Sequence, residues 1–157
     1  MTQIWKEAIS HFIELATKHG VKMLLIGGGA VNFHGYQRHS ADVDFWIKID
    51  DENFRNLVLV FQEMGFEIDS FPNEVKERLK NVSVKFTPED LDLELITRFE
   101  IGKTFEEAYE SSESVEVVGF PLRKWRVLSF NDLIESKRRA ARPKDLLDIE
   151  ELKKKSN

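Results

Sequence analysis

Residues 24–47 hold the groups best suited to chemistry. The segment runs Leu-Leu-Ile-Gly-Gly-Gly-Ala-Val-Asn-Phe-His-Gly-Tyr-Gln-Arg-His-Ser-Ala-Asp-Val-Asp-Phe-Trp-Ile. An apolar run enters three glycines, and a short amphipathic stretch leads to Asp42 and Asp44 inside a second apolar run. Residues two apart on a strand share a face, so the two carboxylates project together. Paired oxygen ligands of this kind suit Mg²⁺ or Mn²⁺. Backbone N–H groups at a glycine turn that opens a helix suit phosphate, and here the turn is Gly27 and Gly28. A divalent ion beside a triphosphate cradle is the equipment for moving a nucleotidyl group. Each part has a plainer reading. A glycine run eases a tight turn, and an Asp-x-Asp is often a solvated strand end. Their proximity favours the chemical reading, because two like charges amid apolar neighbours are costly without a counter-cation.

A third carboxylate would complete such a site. Leu91-Asp92-Leu93-Glu94-Leu95-Ile96 offers two on one strand face, with Glu94 preferred and Asp92 as the alternative. The deeper setting of Glu94, among Leu93, Leu95 and Ile96, decides that preference; taken alone, the segment reads better as an amphipathic strand with a wet face. Arg38 and Ser40 lie just before Asp42, within reach of a bound phosphate. Lys137-Arg-Arg-Ala-Ala-Arg-Pro-Lys-Asp is a basic cluster in which Lys137 and Arg142 form a candidate positive wall. The plainer reading is cations at a helix C-terminus. Asp145 is placed to orient Arg142 or Lys144. His34 and His39 are too few and wrongly spaced for zinc, and His34 is expected to pack or hydrogen-bond nearby.

The elements that must hold these groups read out as alternating helices and strands. Ile4, Ala8, Ile9, Phe12, Leu15 and Ala16 recur at helical spacing, with Gly20 as the stop. A buried strand is predicted over 22–26, a turn and short helix over 27–35, and a strand over 42–49. A helix over 52–64 is capped by Asp50 or Asp51 and ended by Gly65. Strands are predicted over 66–69, 82–86 and 91–97, the last two joined by a turn at Thr87-Pro88-Glu89-Asp90. A short helix is expected over 72–79, and Thr104 opens another with a capping box. A hairpin is predicted from 115–118 and 122–128. Two closing helices follow, from Ser129 and from Arg142-Pro143, with Pro143 in the first turn. This is an α/β (α+β) pattern in one domain over 1–157, with 129–157 as its C-terminal helical segment.

Composition bounds the partners. The chain has 157 residues, 41% apolar and 32% charged, with a net charge of −5 and no cysteine. That is enough for a real core, and it argues against wholesale electrostatic binding of nucleic acid. It also excludes disulfides and thiolate metal sites. The N-terminal segment carries acidic residues and does not read as a signal peptide, and no apolar run approaches membrane-spanning length. A cytoplasmic location is expected.

Gly27-Gly28, thirteen intervening residues, then Asp42-Val-Asp44 between apolar residues resembles the signature of the DNA polymerase β-like nucleotidyltransferase superfamily. The longer form, Gly27-Gly28-x-Ala30 … His34-Gly35-x-x-Arg38-x-Ser40-x-Asp42-x-Asp44, is similar to the branch of AbiEii-type toxins and antibiotic nucleotidyltransferases. The segment Leu128-Ser129 … Asp132-Leu133-Ile134 … Lys137 … Arg142-Pro143-Lys144-Asp145 … Asp148 … Leu152 resembles that branch's closing helices. The branch usually has threonine where this chain has Ser40, and the family more often has aspartate where it has Glu94. The resemblance implies a small mixed sheet flanked by helices. It also implies Mg²⁺ (or Mn²⁺) on Asp42, Asp44 and a later carboxylate. The activity implied is transfer of NMP from an NTP to a hydroxyl or phosphate acceptor (a tRNA, a protein or a small molecule), with release of pyrophosphate. Nucleotide contacts are expected from Gly27, Gly28, Arg38, Ser40, Lys137 and Arg142. No large acceptor-binding domain fits in this length, so the acceptor is expected to be bound by the C-terminal helices, by a second subunit of a homodimer or by a partner protein. The alternative is a catalytically weak or inactive nucleotide-binding partner in a toxin–antitoxin pair.

Overall fold

The computed structural model describes residues 7–86 and 91–156. The expected contribution of Ile4 and the turn at 87–90 lie outside the described residues. Helix α1 (Glu7–Lys18) precedes strand β1 (Met23–Ile26), helix α2 (Gly27–Phe33) and strand β2 (Asp42–Ile47). Then come α3 (Asp51–Glu63), α4 (Asn73–Lys76), β3 (Val82–Val84) and β4 (Asp92–Ile96). The chain continues through α5 (Phe105–Glu110), β5 (Glu113–Val117), β6 (Arg123–Val127), α6 (Phe130–Ala140) and α7 (Pro143–Lys155). The six strands form one mixed sheet in the order β3-β4-β2-β1-β6-β5.

The sheet's centre is where the sequence is most apolar. All four residues of β1 are buried, as expected for a strand covered on both faces. Strand β2 runs antiparallel to β1 and parallel to β4. On one face of β2, Val43, Phe45 and Ile47 are buried. Phe45 lies 6.1 Å from the Phe12 ring of α1, and Phe12 lies 5.7 Å from Phe61 of α3. On the opposite face, Trp46 meets Phe99 and Phe105 with ring centroids 5.2 Å away in each case. Asp42 and Asp44 share that second face by the two-residue strand period. The aromatic packing therefore anchors one end of β2 and leaves the other end to the carboxylates.

Local signals mark most boundaries. Asp50 caps α3 by accepting a hydrogen bond from the Asn53 N–H at 2.7 Å. Thr104 and Glu107 form a reciprocal capping box on α5. Ser129 caps α6, and Pro143 stands in the first turn of α7. Ala141, in the left-handed region at φ 50, reverses the chain between α6 and α7.

Some expectations require correction. Residues 66–69 form no strand: Phe66 packs edge-on against Phe61, and Gln62 donates to the Ile68 carbonyl, so this segment folds back on α3. The helix expected over 72–79 shrinks to four residues, because Arg78 turns into the left-handed region at φ 62. Ile13 joins the buried face of α1 although it was not among the expected core positions.

Phe45 is fully buried between helix and sheet. Phe45→Ala is expected to cost about 3–5 kcal/mol by cavity formation, read as a lowered urea midpoint with an unchanged slope.

Candidate functional site

The site grows from the junction of β1 and α2. Ile26 pairs with Asp44 across the antiparallel ladder, so the residue after Ile26 arrives beside the Asp44 side chain. That residue is Gly27, in the left-handed region at φ 62. A Cβ there would fall 2.5 Å from Asp44 Oδ2, so the carboxylate would have to move aside. A Cβ on Gly28 would fall 2.6 Å from Ser40 Oγ, with Arg38 Nη1 at 3.7 Å. The glycines are thus required twice, by backbone conformation at Gly27 and by close approach at both. The third, Gly29, is spent on packing, since a Cβ there would meet the Leu25 side chain at 2.8 Å.

The loop between α2 and β2 lays Arg38 and Ser40 over this turn. Asn32 holds it by accepting from the Arg38 N–H at 3.0 Å. The Ser40 hydroxyl donates to the Asp42 carbonyl at 2.9 Å, which fixes the entry to the carboxylate strand. The parallel pairing of β2 with β4 sets Asp42 beside Asp92 and Asp44 beside Glu94. All four acids therefore share one patch of sheet. Asp92 is drawn toward Lys85, whose Nζ lies 3.6 Å away. Glu94 receives the Ser83 hydroxyl, 2.7 Å from each carboxylate oxygen.

Asp44 carries the electrostatic consequence. Burial, and then the charges of Asp42 and Glu94, push its pKa up to about 6 against the pull of Lys137 and Lys144. The patch holds more negative charge than its own cations neutralise. Among the described residues, no three His, Cys, Asp or Glu side chains form a ready cage for a metal ion. Asp42 and Asp44 fit a cation that takes one or two protein carboxylates and completes its shell with phosphate and water, the usual habit of Mg²⁺.

Behind the patch lies a buried ion network. Asp148 of α7 accepts from Arg38 Nε at 3.0 Å and Nη2 at 3.1 Å, and from Lys137 at 3.1 Å. Asp145, fully buried, lies 3.5 Å from Lys137 Nζ and 2.7 Å from Arg142 Nε. Burial opposes the charged form of Asp145, but hydrogen bonds from the Arg142 side chain and backbone, with the Lys137 charge, hold its pKa below the ordinary value. Asp145 is the partner expected for Arg142, whereas the role of Asp148 is not among the expectations from sequence. Its signal was present: two acids three apart on a helix share a face, here opposite a basic helix end. His34 packs and hydrogen-bonds locally, as expected. Its Nε2 lies 2.7 Å from the Leu128 carbonyl, and its ring meets Phe33 and Phe130 edge-on.

Gly27, Gly28, Arg38, Ser40, Asp42, Asp44 and Glu94 are therefore brought together. Lys137 lies close enough to act on Asp44, and Arg142 is turned onto Asp145. Compared with known proteins, the chain matches no protein-family model, and no curated protein matches it significantly. No helix among the described residues is long and apolar enough to cross a membrane.

The raised pKa of Asp44 has a stability consequence. A carboxyl that holds its proton more tightly when folded adds stability below its ordinary value of 3.8, and that contribution is lost as pH rises through about 6. In chelator, Asp44→Asn is expected to raise the melting temperature at about pH 8 and to make little difference below about pH 4. A wild type that melts higher than the variant at the alkaline end would contradict this charge assignment.

Proposed function

We propose that this protein is a metal-dependent nucleotidyltransferase that moves NMP from an NTP to a hydroxyl or phosphate acceptor and releases pyrophosphate. The observation that carries the reading is the close packing of the glycine turn. Gly27 lies against the Asp44 carboxylate and Gly28 against Ser40, with Arg38 above, so phosphate-type and metal-type groups meet at one point. The family resemblance drawn from Gly27-Gly28 … Asp42-x-Asp44 and the mixed sheet flanked by helices are consistent with a nucleotidyltransferase fold.

In this reading Asp42 and Asp44 hold Mg²⁺ (or Mn²⁺), which when bound neutralises triphosphate charge and polarises the phosphorus under attack. Backbone N–H groups of the glycine turn bind phosphate oxygens. Arg38 presents its remaining nitrogen over the turn while Asp148 fixes its orientation. Ser40 supports the same phosphates. Lys137, with Lys144, offsets charge developing on the leaving pyrophosphate, while Arg142 acts through its hold on Asp145. Glu94 accepts the acceptor's proton, directly or through water. Its position beside the half-buried Asp44, whose proton affinity its charge helps to raise, favours it over Asp92.

A second reading keeps the fold without turnover, as a nucleotide-binding toxin–antitoxin partner. The lack of a ready three-acid cage among the described residues favours it. Incubation with each labelled NTP, Mg²⁺ and candidate acceptors, tRNA included, followed by mass analysis, separates the two. The proposal expects a labelled product that Asp42→Ala with Asp44→Ala abolishes while the fold survives. Triphosphate binding without any product would support the second reading. In an active preparation, Glu94→Gln is expected to cut turnover by about 10²-fold or more with little change in NTP binding, and Asp92→Asn to be mild. The reverse pattern would make Asp92 the third carboxylate.

A further inference from the structure

At the other end of β1 from the glycine turn lies a cleft of about 370 Å³, within the size range of small-ligand sites. Its charged lining residues are Lys22, Lys124 and Arg126, all cationic, in a chain whose net charge is −5. Tyr109 and Ser114 line the same wall. The charge is concentrated as well as positive. Lys22 Nζ lies 5.3 Å and Arg126 Cζ 4.7 Å from the centre of the same Tyr109 ring. The ring's negative face offsets part of their repulsion. A bound anion would offset the rest.

The Arg126 guanidinium is also held in place. Arg126 Nη1 donates to the Tyr109 carbonyl at 3.3 Å and to Ser112 Oγ at 3.2 Å. The backbone of Lys22 is fixed on both sides by Asn53, whose amide accepts from the Lys22 N–H and donates to its carbonyl. A guanidinium fixed in this way is prepared for a phosphate oxygen without further loss of freedom. Lys124 is the weaker contributor, because Glu116 stands opposite it on the neighbouring strand.

We propose that this cleft binds a small phosphate-bearing anion, of mononucleotide size or less, through Arg126 and Lys22, at a site separate from the carboxylate patch. The inference does not rest on the nucleotidyltransferase reading, since it uses none of the same residues.

The test is an NMR titration of the whole ¹⁵N-labelled chain in chelator, at ionic strength held constant with chloride. Inorganic phosphate is added in one arm and adenosine monophosphate in the other. The amides of Gly20 to Met23, Tyr109, Ser114 and Lys124 to Arg126 are expected to shift saturably. Arg126→Gln and Lys22→Gln are each expected to weaken binding by about tenfold, the effect of losing one charge-assisted hydrogen bond. Asp44→Asn should leave it unchanged. Saturation by phosphate alone would mark a free-phosphate site, and tighter binding of the monophosphate would mark a nucleotide site. No saturable shift at these amides, or shifts that persist undiminished in Lys22→Gln, would overturn the proposal. Lys22→Gln is the decisive variant if Arg126→Gln does not fold, because the Lys22 ties to Asn53 run through backbone.

Discussion

The Asp148 carboxylate joins parts of the chain that lie far apart in sequence. It is buried on the last helix, yet it receives Arg38 from the loop before β2 and Lys137 from α6. A buried ion pair is weak as a source of stability, because desolvation cancels much of the attraction. Breaking one is a different matter, since the partner charges are left without compensation. The network therefore acts as a positional constraint. It fixes where α7 sits, holds the loop over the glycine turn, and aims the remaining Arg38 nitrogen at Gly28. Asp145 repeats the device by tying Lys137 to Arg142, just beyond the left-handed turn at Ala141.

The two sets of acids are treated in opposite ways. Asp145 and Asp148 are matched by cations that reach them directly. Asp42, Asp44 and Glu94 are gathered by strand register with too little positive charge nearby, and burial, together with the charges of Asp42 and Glu94, raises the proton affinity of Asp44. Folding thus leaves a local excess of negative charge at the point where the glycine turn gives the backbone its closest approach. Strand pairing imposes that excess, and Trp46 with its aromatic neighbours makes the register costly to slip, because a one-residue shift would expose the buried face of β2.

Much of this was legible in the sequence, for local reasons. The glycine cluster, the Asp-x-Asp spacing, the caps at Asp50, Thr104 and Ser129, and Pro143 at a helix start each act over a few residues. Pairing information was not local. Nothing in the sequence pattern places β4 beside β2 rather than at an edge, so the proximity of Glu94 to Asp44 emerged only with the sheet order. The Asp148 network links positions 110 residues apart, and spacing on one helix does not reveal which loop will meet it. Residues 66–69 read as a strand because Phe66 and Ile68 alternate, but aromatic packing onto Phe61 overrides that pattern.

In the proposed function the glycine turn and the carboxylate patch form one metal–triphosphate site. Calorimetric titration with each common nucleoside triphosphate, in Mg²⁺ and again in chelator, tests it most directly when wild type is compared with Gly28→Val. The account predicts saturable binding that requires Mg²⁺ and is lost when a side chain occupies the space beside Ser40. Equal affinity in the variant, or binding indifferent to the metal, would contradict it.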